Sequence, residues 1–170
     1  GAYPVLADYN GDGLQDLFIS NYGDYIYSYY SAGNFLNSVY WSNVSLYMNT
    51  GTINQPKFNR ITHDFLSLEQ YQLTGMYLTF GDIDGDLDQD MIMGNNEGSV
   101  WYFKNKAGQG QPMDFDPPVQ SIQNIDVGAY STPQLFDLNS DGLLDMVVGE
   151  ENGNLNYYQN SGSISNPIFS

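Results

Sequence analysis

The sequence contains no cysteine, few basic residues and no long hydrophobic run. Without cysteine, neither a disulfide framework nor a thiolate metal site can order the chain. Only 4 Lys and Arg residues oppose 20 Asp and Glu residues, a formal net charge of −16. Such a surface repels phosphate backbones, so we expect no nucleic-acid partner. No run of about 18 apolar residues occurs, so we expect no membrane insertion. Divalent cations are the partners that this charge favours.

The chain also contains few of the residues and motifs that commonly form catalytic sites. His63 is the only histidine, and no serine lies in a nucleophile-elbow motif. The acidic pair Glu150 and Glu151 falls in a segment that has the composition of a solvated turn. We therefore expect no enzymatic activity.

An acidic nine-residue pattern, D-x-[DN]-x-D-x-x-x-D, occurs three times among the 170 residues. The copies, called loops one, two and three below, span residues 8–16, 82–90 and 137–145. Each is followed by an apolar run and then by an asparagine; these landmark asparagines are Asn49, Asn105 and Asn160. The first aspartate and the landmark asparagine are 23 residues apart in copies two and three and 41 apart in copy one. A phenylalanine follows each asparagine after 9, 10 and 9 residues. The chain is therefore a threefold repeat with one insertion, placed at residues 24–43, which we predict to be an extended hairpin or surface loop.

Short runs rich in Val, Ile, Tyr, Phe and Trp lie between the turn-forming clusters and predict about four strands per repeat. The strand that enters each acidic loop is predicted at residues 4–7, 77–81 and 133–136, and no amphipathic helix is predicted, only a turn at 65–71. The spacing of the copies suits blades of a β-propeller, each of four antiparallel strands. Blade 1 is placed at about residues 1–75, blade 2 at 76–129 and blade 3 at 130–170. Propellers typically have about 4 to 8 blades. We therefore expect an incomplete propeller, or one whose open edges are covered by other chains.

The spacing of the acidic residues predicts calcium sites. In a tight loop, positions 1, 3 and 5 can point oxygens at one centre, position 7 can add a backbone carbonyl, and position 9 can add a carboxylate. Hard oxygen ligands of this number suit Ca²⁺. About three Ca²⁺ ions are predicted. Site one consists of Asp8, Asn10, Asp12, Asp16 and the Leu14 carbonyl; site two of Asp82, Asp84, Asp86, Asp90 and the Asp88 carbonyl; site three of Asp137, Asn139, Asp141, Asp145 and the Leu143 carbonyl.

Turn chemistry alone also favours Asp, Asn and Gly, but three copies in register argue for a bound cation. Three dications would change the formal charge from −16 to −10. Gly13 and Gly142 stand where the loop is predicted to need a positive φ, a conformation that costs glycine little. Leu87 takes that place in loop two, where strain is expected.

The loops and the segments that follow them, such as Asp90-Met91-Ile92-Met93-Gly94 and Asp145-Met146-Val147-Val148-Gly149, resemble the FG-GAP/VCBS repeats of integrin-type β-propellers. The resemblance covers nearly the whole chain. It implies a blade with calcium in the loop between its first two strands, held by the positions named above. Members of this class serve in adhesion, in ligand binding and as accessory domains beside enzymes, so the fold does not specify one activity.

We therefore expect an extracellular or cell-surface module, stabilised by calcium, for adhesion, ligand binding or assembly. Two alternatives stay open: a carbohydrate-binding propeller accessory to a secreted enzyme, and a self-assembling fibre subunit. The insertion alternates Tyr25, Tyr27 and Tyr29, and tyrosines of this kind either form a contact surface for a protein or glycan ligand or pack over the neighbouring blade. Self-association through open blade edges is the other expected partnership.

Overall fold

The computed structural model describes all 170 residues, and 44% of them are in strands or isolated β-bridges and 6% in helical segments. The predicted all-β class is confirmed. Two 3-10 segments, Phe65–Tyr71 and Ile122–Asn124, lie between repeats. The strands are β1 (Ala2–Ala7), β2 (Asp16–Asn21), β3 (Asp24–Tyr30), β4 (Leu36–Trp41), β5 (Val44–Asn49), β6 (Phe58–Thr62), β7 (Tyr77–Gly81), β8 (Asp90–Gly94), β9 (Val100–Phe103), β10 (Thr132–Phe136), β11 (Asp145–Gly149) and β12 (Leu155–Tyr158).

The strands form four antiparallel sheets, none of them closed. The first sheet has the order β1-β2-β5-β6, and the other two repeats contribute the sheets β7-β8-β9 and β10-β11-β12. The last residue of each entering strand lies opposite the ninth residue of its acidic loop. These pairs are Ala7 with Asp16, Gly81 with Asp90, and Phe136 with Asp145. Each loop therefore closes a hairpin of the same register.

The insertion in the first repeat forms a separate hairpin, which is one of the two forms predicted for it. Strands β3 and β4 pair only with each other, and the register shifts between Tyr25 and Tyr27. Most of the hairpin's residues are exposed.

The prediction of four regular strands per repeat is correct only for the first repeat. In the second and third repeats the fourth strand is reduced to single bridges, Tyr102 with Val119, Asn105 with Phe115, and Asn160 with Phe169. Proline lacks the backbone N–H that a continuous ladder needs. Prolines stand at 117 and 118 in the second repeat, between the residues that form its two bridges, so pairing there is interrupted. Pro167 of the third repeat is equivalent to Pro56 of the first, which precedes the regular strand β6, so proline does not account for the single bridge in the third repeat.

The core consists of two apolar layers on either side of the middle sheet. Strand β8 is buried along its whole length and alternates its side chains between the layers. Met91 and Met93 join Phe18 and Leu46 of the first repeat, whereas Ile92 joins Met146 of the third. The sheets of the first and third repeats therefore each pack one face against the middle sheet.

The landmark asparagines are buried and tie the third strand of each repeat to the segment that follows it. In the second repeat, Asn105 Oδ1 accepts hydrogen bonds from the backbone N–H groups of Ala107 (3.2 Å) and Asp114 (2.9 Å). In the first repeat, Asn49 Oδ1 accepts from Gly51 and Lys57 in the same way. The asparagine thus replaces part of the missing strand pairing with side-chain hydrogen bonds.

Asn105→Ala is expected to lower the free energy of unfolding by about 1 to 3 kcal/mol, because it removes the hydrogen bonds to the N–H groups of Ala107 and Asp114 and each such bond contributes about 0.5 to 1.5 kcal/mol. Urea unfolding of the two proteins measures the difference. The matched control is Asn54→Ala, whose exposed side chain accepts and donates no hydrogen bond and which should change stability by less than about 0.5 kcal/mol. Equal effects of the two substitutions would contradict this role of Asn105.

Candidate metal centre

The first aspartate of each loop folds the loop around its own carboxylate. Asp8 Oδ1 accepts a hydrogen bond from the backbone N–H of Gly11 (2.9 Å), and its Oδ2 accepts one from Gly13 (2.8 Å). Asp82 accepts from Gly85 and Leu87 at the same positions of loop two. This is Asx-turn chemistry, and it holds the third and fifth residues close to the first.

The sixth residue of each loop has a positive φ, as predicted. The angle is 83° at Gly13, 87° at Gly142 and 72° at Leu87. A side chain in the left-handed region costs roughly 1 to 2 kcal/mol, so loop two has a strained residue at its sixth position. Loop three has one at its fourth position, Ser140 (φ 62°), where loops one and two have glycine.

Loop two brings three carboxylates together. Asp82, Asp84 and Asp86 each offer an oxygen, and these oxygens lie within 4.8 Å of one another. The side chain of Asp84 is only 10% exposed, and its Oδ1 is buried without a hydrogen-bond partner. A buried carboxylate oxygen without a partner costs free energy. The donor set therefore fits a hard divalent cation, which would supply the missing interaction.

Loops one and three carry asparagine at the third position and form no such group of three carboxylates. Asn10 Nδ2 donates to Asp12 Oδ2 (2.9 Å), and Asn139 Nδ2 donates to Asp141 Oδ2 (2.8 Å). In both loops the amide oxygen accepts the backbone N–H of the fifth residue. The ligand sets predicted for sites one and three stay predictions.

The ninth-position aspartates, Asp16, Asp90 and Asp145, are fully buried and have a further role that the sequence analysis missed. Asp90 Oδ1 accepts the backbone N–H of Asn105 (2.8 Å), and Asp90 Oδ2 accepts that of Ile83 (3.2 Å) and the hydroxyl of Tyr102 (3.1 Å). The other two accept the corresponding backbone N–H groups of their own repeats, and Asp145 also accepts the Tyr157 hydroxyl. The equal spacing of 15 residues from Asp90 to Asn105 and from Asp145 to Asn160 is the signal that could have indicated this pairing.

Burial changes the acidity of these groups. Desolvation raises the pKa of Asp90 to about 6, although its hydrogen bonds to Asn105, Tyr102 and Ile83 act in the opposite direction. Burial, together with the neighbouring Asp90, raises the pKa of Tyr102. The pKa of Asp16 is also raised by burial.

The seventh residue of loop two differs from its counterparts Leu14 and Leu143. Only the carbonyl of Asp88 was predicted to take part in site two, but the side chain of Asp88 is buried as well. Asp88 Oδ2 accepts the backbone N–H of Gly108 (2.7 Å), and Oδ1 is buried without a partner. Asp88 lines a polar cavity between the first and second repeats, together with Asp8 and Gln111.

A lysine lies against the carboxylates of loop two, which the sequence analysis also missed. Lys104 Nζ donates to Asp84 Oδ2 and lies 3.6 Å from Asp86 Oδ2. Lys104 immediately precedes the landmark asparagine, where the other repeats have Met48 and Gln159. A basic residue at one of three equivalent positions is the signal that could have indicated the contact.

Comparison with known families gives one match. Residues 82–148, from the first aspartate of loop two into β11, match the FG-GAP-like repeat. The resemblance inferred from the loops is confirmed for these residues, which include loops two and three. Repeats of this family are often involved in adhesion or ligand binding and are typically extracellular. No curated protein matches the chain. No helix has the length and apolar character needed to cross a membrane.

Asp90→Asn is expected to flatten the pH dependence of stability in the metal-free protein. Because the pKa of Asp90 in the folded state, about 6, lies above its unfolded value of about 3.9, the Asp90 contribution to stability is fully present below pH 4 and is lost as the pH rises to about 6. Asparagine does not titrate, so this contribution disappears. Chemical unfolding in EDTA between pH 4 and 7 measures it. The control Glu151→Gln, at an exposed site, should keep the wild-type slope; an unchanged slope for Asp90→Asn would contradict the assignment.

Proposed function

Because residues 82–148 match the FG-GAP-like repeat, we propose that the chain is an extracellular calcium-binding β-propeller module for adhesion, ligand binding or assembly, without enzymatic activity of its own. The observation that carries the proposal is the convergence of Asp82, Asp84 and Asp86 in loop two. The three entering hairpins of equal register support it, since they give each repeat the same loop.

The chemistry of loop two favours calcium over magnesium. Its ligands come from a flexible loop and are all oxygens, whereas Mg²⁺ requires a small and nearly ideal octahedron and retains several waters. Asp82, Asp84 and Asp86 would hold the ion, which would neutralise the repulsion among their carboxylates. Loops one and three would each offer two carboxylates and an amide oxygen from Asn10 or Asn139.

The hairpin β3–β4 is the surface that we assign to a ligand. Tyr25, Tyr27, Tyr29, Tyr30 and Phe35 are all exposed on it. Their exposure favours a contact surface over packing against the neighbouring blade, which was the other prediction. Tyrosine supplies a large apolar area and a hydroxyl that can donate or accept a hydrogen bond, so it suits both protein and glycan ligands.

The packing between repeats favours extension by a further blade over a fibre of identical copies. Ile164, in the turn after the third repeat's landmark asparagine, packs so closely on Gly85 of loop two that a Cβ there would lie 2.3 Å from its Cγ1. The equivalent residue of the first repeat, Ile53, is 80% exposed, compared with 60% for Ile164. Loop three of a second copy has Ser140 at the fourth position instead of glycine. The Cβ of Ser140 would collide with Ile53 if Ile53 packed on that loop as Ile164 packs on Gly85. A blade with glycine at the fourth loop position is therefore the better partner for Ile53.

Calcium is expected to raise the melting temperature of the protein, and EDTA to reverse the change, because a ligand bound only by the folded state stabilises it by RT ln(1+[L]/Kd). At a free concentration of about 100 Kd one site contributes about 2.7 kcal/mol. Differential scanning calorimetry with and without calcium measures the shift. Asp86→Asn should reduce it, whereas Glu97→Gln, at an exposed site, should not. A melt that is identical in calcium and EDTA would defeat the proposal.

The triple variant Tyr25→Ser, Tyr27→Ser, Tyr29→Ser is expected to retain stability within about 0.5 kcal/mol per site, because exposed side chains away from the core contribute little. It should lose whatever protein or glycan ligand the wild type binds. Urea unfolding measures the first effect, and a glycan array probed with both proteins separates a lectin from a protein-binding module. A large loss of stability would show that the tyrosines pack on the repeats instead.

A further inference from the structure

We propose that Lys104 is an internal counter-cation of loop two, which balances the loop's carboxylates when no ion is bound and competes with calcium for them. The competition rests on the proposed calcium binding, whereas the ion-free role does not. Lys104 thereby lowers the affinity of site two and keeps its loop ordered at low calcium.

Lys104 contacts carboxylate oxygens of the candidate cation site itself. Lys104 Nζ donates to Asp84 Oδ2 and lies 3.6 Å from Asp86 Oδ2, and both carboxylates belong to the group of three that fits a cation. Asp84 is 10% exposed, so its charge is poorly solvated and needs a partner. One ammonium and one dication cannot both occupy the space between the same two carboxylates.

The side chain of Lys104 is able to move away from the carboxylates. Its side chain is 42% exposed, and lysine has a compact charge on a flexible four-carbon stem that can move its ammonium into water. The backbone of Lys104 stays in place, because its carbonyl accepts the N–H of Asp116 (2.9 Å). The side chain therefore has two positions, on the carboxylates or in solvent.

Comparison of the repeats shows that Asp84 and Lys104 differ together from their counterparts. Positions 1, 3 and 5 carry two carboxylates and one asparagine in loops one and three but three carboxylates in loop two. The residue before the landmark asparagine is uncharged in the first and third repeats, Met48 and Gln159, and is Lys104 in the second. With the lysine counted, the formal charge of the three positions is −2 in every repeat. The lysine compensates for the additional carboxylate.

A purely structural salt bridge and a competing counter-cation predict different effects of calcium on Lys104→Gln. Both predict a lower melting temperature in EDTA. Only the counter-cation predicts that Lys104→Gln binds calcium more tightly than wild type at one site, roughly twofold to fivefold, as expected for loss of one partly exposed ion pair. Isothermal titration with calcium and melting in EDTA measure the two effects on the same samples.

Three further variants test the assignment. Asp84→Asn with Lys104→Gln reproduces the pattern of loop three and should recover the wild-type melting temperature in EDTA. Lys104→Arg keeps the charge and should retain it too. Lys106→Gln removes a neighbouring exposed lysine that pairs with Asp116, and it should leave the calcium isotherm unchanged.

The outcomes separate this inference from the proposed function. If wild type binds calcium and Lys104→Gln does not bind it more tightly, the counter-cation is wrong while calcium binding stands. If neither protein binds calcium, the proposed function and the competition both fail. If Lys104→Gln melts at the wild-type temperature in EDTA, the ion-free role is overturned as well.

Discussion

The structure depends on one repeated interaction, the hydrogen bonds that the buried ninth-position aspartate makes to the backbone of its own repeat. In the second repeat, Asp90 joins Ile83 at the start of the acidic loop to Asn105 at the end of the third strand. Asn105 then holds the chain that turns back along that strand. A carboxylate in an apolar interior is tolerated only when donors surround it. The same arrangement recurs at Asp16 and Asp145, and it fixes each acidic loop relative to its sheet.

This constraint explains why the remaining acidic residues converge. With the ninth residue buried in the sheet and the first residue folded over its own backbone, the third and fifth residues are confined to a few ångströms around the first. Loop two then concentrates three carboxylates, and a positive charge must balance them. Lys104, the residue that follows β9, supplies this positive charge, and a dication would supply twice the charge. The electrostatics of the loop thus follow from how its ends are anchored.

Much of the fold could be predicted from local patterns. Strand β7 has the predicted bounds, and β1 and β10 begin only two and one residues earlier, since short apolar runs between turn clusters specify strands directly. The positive φ at Leu87 followed from the glycines at equivalent positions. The fourth strands were predicted less well, because whether a proline interrupts pairing depends on which backbone N–H groups face the neighbouring strand. Asp90 was predicted only as a metal ligand, since its donors Tyr102 and Asn105 are 12 and 15 residues away.

The sequence by itself determined the threefold repeat, the strand that enters each acidic loop and the acidic residues of each loop, because these depend on period and composition within short segments. Only the tertiary structure decided which carboxylates accept hydrogen bonds from the backbone and which remain available to a cation. It also decided that Lys104 lies on Asp84. Both outcomes depend on distances between residues that are 12 to 33 positions apart in the sequence, and these distances are fixed by sheet register and packing, which short-range patterns do not encode.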